Sequence, residues 1–169
     1  EAAACEKEAG RGQAQAGTQE EGRRQGQAQV SADPACVFCR IVAGTIPSHR
    51  LCEDARTYAF LDINPANRGH ALVIPKAHAP NLVASDDSDL AAVMATARRV
   101  AAAIEKVVKP DGFNLVQANG PGAAQSVPHF HMHVVPRRID DGLAMNWGLK
   151  PGDPAGLAAL AAELRAALA

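Results

Sequence analysis

The densest chemistry in the chain lies at His129-Phe130-His131-Met132-His133, a His-x-His-x-His alternation within an apolar run that continues to Pro136. Polar and apolar residues alternating over this length are the pattern of a half-buried strand. Successive strand side chains point to opposite faces, which predicts Phe130, Met132 and Val134 packing inward and all three imidazoles together on the other face. Three imidazoles in a row can bind a metal, hold a phosphate or offer a nitrogen nucleophile. Gly120-Pro121-Gly122 stands just ahead of them, and the backbone N–H groups of such a loop can join His donors around phosphate oxygens. A second constellation is Cys36-x-x-Cys39, whose two-residue gap lets two thiolates grip one tetrahedral ion. A redox role is the rival for that pair, but the βαβ context of a thioredoxin-like site is absent. An open metal on His129, His131 and His133 is a further alternative, weakened by the lack of a nearby fourth ligand.

The elements that must position these groups can be read around them. Tyr58–Ile63 reads as a strand stopped at Asn64-Pro65, and Gly69–Pro75 as a second strand ended by proline. Residues 85–108 read as one long helix, with Leu90, Val93, Ala97, Val100, Ile104 and Val107 forming an apolar stripe. Ser85 or Ser88 is the expected cap, and Lys109-Pro110-Asp111-Gly112 the break. Phe113–Gln117 makes a third strand before the histidine strand, and Asp153-Pro154 opens a final helix with Leu157, Leu160, Leu164 and Leu168 on one face. Short antiparallel strands around one long helix define an α+β domain. The long helix carries more apolar surface than one small sheet needs, which predicts a homodimer.

Composition narrows the function classes. The 169 residues with a net charge of −1 fit one domain and give no electrostatic footprint for a nucleic-acid backbone. No stretch is long and apolar enough for a membrane span, and no signal segment opens the chain. The chain starts at Glu1 without a methionine, so something is expected to have preceded it. Four unevenly spread cysteines do not make a secreted disulfide framework, and the reducing cytoplasm is the expected compartment. Residues 1–34 are rich in Gln, Gly, Ala, Glu and Arg with Val30 the one large aliphatic side chain, so they are expected to form a disordered tail, with the folded domain at 35–169.

From Cys36 to about Trp147 the residues resemble the histidine triad (HIT) family, in its Hint-like bacterial branch. The matching blocks run in order: Cys36-Val-Phe-Cys39 through Gly44-Thr-Ile-Pro47-Ser48, then Ala59-Phe60-Leu61-Asp62-Ile63-Asn64-Pro65, then Gly69-His70 through Pro75-Lys76-Ala-His78, then Asn119-Gly120 and Gln125-Ser126-Val-Pro-His129 through Pro136. The resemblance implies a five-stranded antiparallel sheet with one long and one C-terminal helix, assembled as a homodimer. It further implies nucleotidyl hydrolase or transferase chemistry at the α-phosphate of purine nucleoside phosphoramidates, acyl-adenylates or dinucleoside polyphosphates. The alternative is a nucleotide-binding or interaction module with negligible turnover.

Carried over residue by residue, His131 becomes the nucleophile that forms a covalent nucleotidyl-histidine. His133 and His70 touch the α-phosphate, and Ser126, with Gln125 beside it, donates to the leaving group or a phosphate oxygen. Asp62 accepts from the ribose hydroxyls, Asn119 helps position the phosphate, and Ile63 and Phe60 sandwich the base. No metal is required for that chemistry. The resemblance also supplies the remaining ligands for a structural zinc: Cys36 and Cys39 are joined by His78 and His129.

Overall fold

The computed structural model describes residues 32–144 and 151–168. The expected tail at 1–34 and Trp147 fall almost wholly or wholly outside the described residues. Among the described residues, five strands and three α-helices follow in the order α1 (Val37–Val42), β1 (Arg50–Glu53), β2 (Thr57–Leu61), β3 (Ala71–Pro75), α2 (Asp87–Val108), β4 (Gly112–Val116), β5 (Met132–Arg137) and α3 (Pro154–Leu168). The strands form one antiparallel sheet in the order β1-β2-β3-β5-β4. This is the expected α+β architecture, with α1 and β1 as elements that sequence periodicity did not reveal. Both are too short to show a period: six residues in α1 and four in β1.

The sheet separates two cores. On one side α2 lays Val93, Ala97, Val100, Ala101 and Ile104 over Ala59, Ala71, Val73 and Val134, with Phe130 in the same cluster. On the other side α1 packs Phe38 and Ile41 against Tyr58, Phe60, Leu72 and Ile74. β3 serves both cores because its alternate side chains go to opposite faces, and all five of its residues are buried. The apolar stripe of α2 follows the sequence pattern except at its end, where Val107 is 71% exposed.

Local chemistry differs from expectation at the helix start. Asp86, not a serine, is the N-cap of α2, and its carboxylate accepts from the Ser88 backbone N–H at 2.8 Å. Lys109 ends the helix in the left-handed region at φ 51°, and Arg138 donates to the freed carbonyls of Val108 and Lys109, which satisfies terminal groups the helix itself cannot. Inside the α2 core the hydroxyls of Thr57 and Thr96 meet at 2.9 Å. Each supplies the partner that burial of the other demands.

Candidate active site and metal centre

The three triad histidines do not form an exposed row. β5 begins at Met132, so His129, Phe130 and His131 precede the strand. His129 is 0% and His131 2% exposed, while His133 is half-buried. Phe130 and Val134 pack inward as the alternation requires, with Met132 against the same cluster. The imidazoles share the opposite side but are divided between two jobs. Phe38 stands edge-on to both His129 and His131, with ring centroids 5.8 and 5.3 Å away.

His129 faces the cysteines. Its Nδ1 lies 3.5 Å from Cys36 Sγ and 3.6 Å from Cys39 Sγ, and His78 Nδ1 lies 3.4 Å from Cys39 Sγ. The four ligand atoms all fall within 4.8 Å of one another. Zn–S and Zn–N bonds set at tetrahedral angles place sulfur and nitrogen ligands roughly 3.5 Å apart, so this cage has the dimensions of a closed four-ligand site. The tautomer fits as well. His129 Nε2–H donates to the Pro75 carbonyl at 3.0 Å, which leaves the Nδ1 lone pair aimed at the cage, the outer bond that ligating histidines use. Burial pushes the His129 pKa down to about 4, keeping the ring in its neutral, ligating form. Burial also raises the Cys39 thiol, opposed by a bond from the Asp33 backbone N–H. The donor set of two sulfurs and two nitrogens suits a tetrahedral ion, and no described residue has to move far to hold one.

His131 has its tautomer fixed from the same segment. Its Nδ1–H donates to the His129 carbonyl at 2.6 Å, because a carbonyl can only accept. In the neutral ring the unshared pair therefore sits on Nε2. The His133 ring lies beside it, centroid to centroid 5.0 Å. His133 Nδ1 is 2.8 Å from His70 Nε2, and His70 Nδ1 accepts from the Ala66 backbone N–H at 3.1 Å. An amide N–H can only donate, so the neutral His70 carries its proton on Nε2 and gives it to His133 Nδ1. That leaves the His133 proton on Nε2 as an outward donor. Burial lowers both rings, His133 to about 4 with help from His131 and His70, while Asp62 pulls the other way. Asp62 Oδ2 lies 3.7 Å from His70 Nε2. Asp62, His70 and His133 are close enough to hold an ion, but the Ala66 N–H needs the His70 tautomer that has no lone pair on Nε2. The hydrogen-bond chain runs from the Ala66 N–H through His70 to His133, with the Asp62 carboxylate as a nearby charge.

The other predicted residues divide between rim and scaffold. Ile63 is exposed, and Ser126 is exposed on the loop ahead of the triad. Phe60 is buried in the α1 core, edge-on to Phe38 at 5.7 Å. Asn119 accepts from the Leu82 N–H and donates to Gln117. Gln125 accepts from the Gly120 N–H and donates to the carbonyls of Pro80 and Val127. Both amides thus knit the loop before the triad to the segment after His78, beside the cluster of Cys36, Cys39, His78 and His129. Sequence reasoning missed Ala66, whose only contribution is a backbone N–H, and Asn67. Asn67 donates to the Pro136 carbonyl and to Asp141, which also holds Arg137 through two contacts at 2.7 and 2.8 Å. That clamp fixes the Asp62–His70 loop to the end of β5. An Asn beside Pro65-Ala66 reads from sequence as a turn residue, which conceals the long-range bond.

Comparison with known proteins places this geometry. The HIT domain family profile matches residues 43–140. An adenosine 5'-monophosphoramidase of Saccharomyces cerevisiae is 42% identical over 142 residues, covering 83% of this chain and 87% of the relative. The crystal structure of a Streptococcus mutans protein superposes with a TM-score of 0.80 at 34% identity, covering 93% of this chain and all of that one. A zinc-bound histidine triad family protein from Mycobacterium smegmatis gives 0.63 at 38% identity, covering 79% and 97%.

Proposed function

This chain belongs to the HIT family, and from that premise we propose that it is a nucleotidyl hydrolase or transferase acting at the α-phosphate of purine nucleotides. The substrates are nucleoside phosphoramidates, acyl-adenylates or dinucleoside polyphosphates, and His131 is the nucleophile. The observation that carries this reading is the 2.6 Å bond from His131 Nδ1 to the His129 carbonyl. It holds the reactive pair on Nε2 and stabilises the cation that forms when that nitrogen bonds to phosphorus. The phosphoramidase relative supports the same reaction class.

In the first step His131 Nε2 bonds to phosphorus, the bond to the leaving nitrogen or oxygen breaks, and Ser126 supplies a proton to the departing atom. The His133 Nε2–H donates to a non-bridging phosphate oxygen as charge builds there, in the way preorganised donors lower such barriers. Water then attacks phosphorus and its proton returns to Ser126, the P–N bond breaks, and the nucleoside monophosphate leaves with His131 neutral again. Asp62 takes the ribose hydroxyls, with Ile63 and Phe60 bordering the base. Asn119 and Gln125 act by holding the phosphate loop in place. None of these steps uses a metal.

The cage of Cys36, Cys39, His78 and His129 holds a structural zinc in this reading, supported by its dimensions and by the zinc-bound relative. The protein acts as a homodimer. β4 is the edge strand of the sheet, and its exposed Phe113 and Leu115 border a groove of about 660 Å³ with Met94 and Ala101 of α2. An open edge beside an apolar helix face is a surface that a second copy covers.

The deciding experiment is rapid quench of the enzyme with an adenosine phosphoramidate carrying labelled phosphorus, followed by peptide mapping. Label on the peptide containing His131, acid-labile and chased by cold substrate, is the expected result. Turnover with no labelled protein, or label elsewhere, overturns the assignment.

A further inference from the structure

The turn at Asp141 is built more heavily than a surface turn needs. Its carboxylate, 5% exposed, accepts from Arg137 Nε and Nη2 at 2.7 and 2.8 Å. The Arg138 and Leu143 backbone N–H groups add bonds at 3.0 and 2.9 Å. A fifth donor comes from a distant part of the chain: Asn67 Nδ2 lies 2.8 Å from Asp141 Oδ2 and 2.9 Å from the Pro136 carbonyl oxygen. Both of these partners only accept, so the Asn67 amide nitrogen must face them and both its hydrogens are used. Arg137 completes the clamp by reaching Asn114 on β4 and the Leu143 carbonyl. The Arg137 guanidinium holds the Asp141 carboxyl well below the usual carboxylate range, so the clamp stays charged at neutral pH.

What the clamp holds is the loop that carries His70. Residues 62–70 lie between β2 and β3 and belong to no helix or strand. The loop closes on itself: the Asn67 carbonyl accepts from the His70 backbone N–H, and the His70 carbonyl from the Asp62 N–H, each at 3.0 Å. Those bonds set its shape but not its seat against β5. The Asn67 side chain sets the seat, through two bonds to the end of that strand and the turn beyond it. The residue before Asn67 is Ala66, whose N–H meets His70 Nδ1 at 3.1 Å.

We propose that Asn67 is a positioning residue: by seating this loop against β5 it keeps the Ala66 N–H on His70 Nδ1, and so keeps the His133 proton on Nε2. His70 Nε2 and His133 Nδ1 are 2.8 Å apart, and either ring can supply the proton between them. When His70 donates, His133 presents Nε2–H outward. When His133 donates, its Nε2 presents a lone pair, which repels a phosphate oxygen where the proton would bind it. The Ala66 N–H decides between the two, because it can bond only to an unprotonated His70 Nδ1. The Asp62 carboxylate favours the same arrangement, but at 3.7 Å it is too far from His70 Nε2 for a hydrogen bond. With the seat lost, Ala66 no longer meets His70 squarely and the second tautomer becomes populated. The inference rests on the reaction proposed above, in which His133 is the donor to phosphate.

Long-range proton–nitrogen correlation spectra of the isotope-labelled chain, recorded without substrate at neutral pH, read which nitrogen of each ring carries the proton. Both rings are neutral there because burial lowers them. The native chain should show a protonated Nε2 on His70 and on His133. In Asn67→Ala the His133 Nε2 signal should move towards that of an unprotonated nitrogen, and kcat with an adenosine phosphoramidate should fall at least about tenfold. Thr96→Ala, which unpairs the Thr57 hydroxyl in the α2 core, should lower the urea midpoint without moving either ring's signals. If Asn67→Ala does not fold, Asn67→Ser carries the same reading, because its shorter side chain keeps one donor but cannot span both acceptors. Unchanged His133 nitrogens in the folded Asn67 variant, or an equal shift in Thr96→Ala, overturn the positioning role. Nitrogens that switch while kcat stays unchanged uphold the clamp and overturn the His133 donor in the proposed reaction.

Discussion

His131 and His133 illustrate how little of a histidine's behaviour resides in the residue itself. Both are imidazoles on neighbouring positions of like parity, but the His129 carbonyl fixes one and the Ala66 N–H, through His70, fixes the other. His131→Ala should therefore retain the fold and nucleotide binding while kcat falls by at least about 10⁴, the scale of a lost nucleophile; His131→Asn, which leaves less empty space, controls for packing. Retention of near-normal steady-state turnover in both would contradict the role given to the ring. The pH dependence follows from His133. Its pKa is about 4 in the fold and about 6.5 when unfolded, so the unfolded chain takes up this proton first on acidification. The stability that depends on a neutral His133 is complete above about pH 6.5 and is lost as pH falls from there towards 4. Comparing urea midpoints across pH 4–7 for the native chain and His133→Asn should show a smaller acid loss in the variant.

At the level of elements, the cluster of Cys36, Cys39, His78 and His129 brings together α1, the segment after β3 and the start of the triad segment, and the proposed ion would join them into one unit. His78 and His129 arrive from segments that are also tied by Asn119 to Leu82, by Gln125 to Pro80, by His129 to Pro75 and by the Phe130 N–H to the Ala79 carbonyl. Chelation, or Cys36→Ser, should then lower Tm by at least about 5 °C while kcat measured well below Tm changes little, since no step passes through the ion. Differential scanning calorimetry with metal analysis on the same samples reads both; a zinc-free protein of unchanged Tm would refute the cage as a structural site. β4 makes the second prediction at this scale. Leu115 is exposed and borders the α2 groove, so Leu115→Asp should leave the monomer folded and destroy the dimer. Light scattering at micromolar concentration checks it, and a persistent dimer would place the interface elsewhere.

The whole molecule is an asymmetric sheet with different duties on its two sides. α2 covers one face and offers two apolar flanks, while the other face carries α1 with the Cys36, Cys39, His78 and His129 cluster and His131 beside it. Among the described residues no helix is long and apolar enough to cross a membrane. Light scattering of the native protein should give twice the 17.6 kDa chain mass. Limited proteolysis that removes residues 1–34 should leave that mass per copy reduced but the dimer and its turnover unchanged; loss of either would give the segment a role that its composition does not suggest.

What the sequence determined by itself was whatever depends on short-range pattern. Alternation around Phe130 and Val134, the period of α2 and the Asp153-Pro154 start of α3 each reflect a backbone geometry that neighbouring residues impose, and each is present in the structure. The order of the four motif blocks was likewise enough to identify the family. Tertiary structure decided how each motif is used. Periodicity could place three histidines on one side but not say that His129 turns to two cysteines some ninety positions earlier, because that contact depends on how the sheet brings α1 against the triad segment. Asn119 read as a residue that helps position the phosphate and Gln125 as a neighbour of the Ser126 donor, but the protein groups each bonds to were not legible, since an amide's partner is set by what folds beside it. The Ala66 N–H left no mark in the sequence at all: every non-proline residue has one, and only the chain path around Asn67 aims this one at His70.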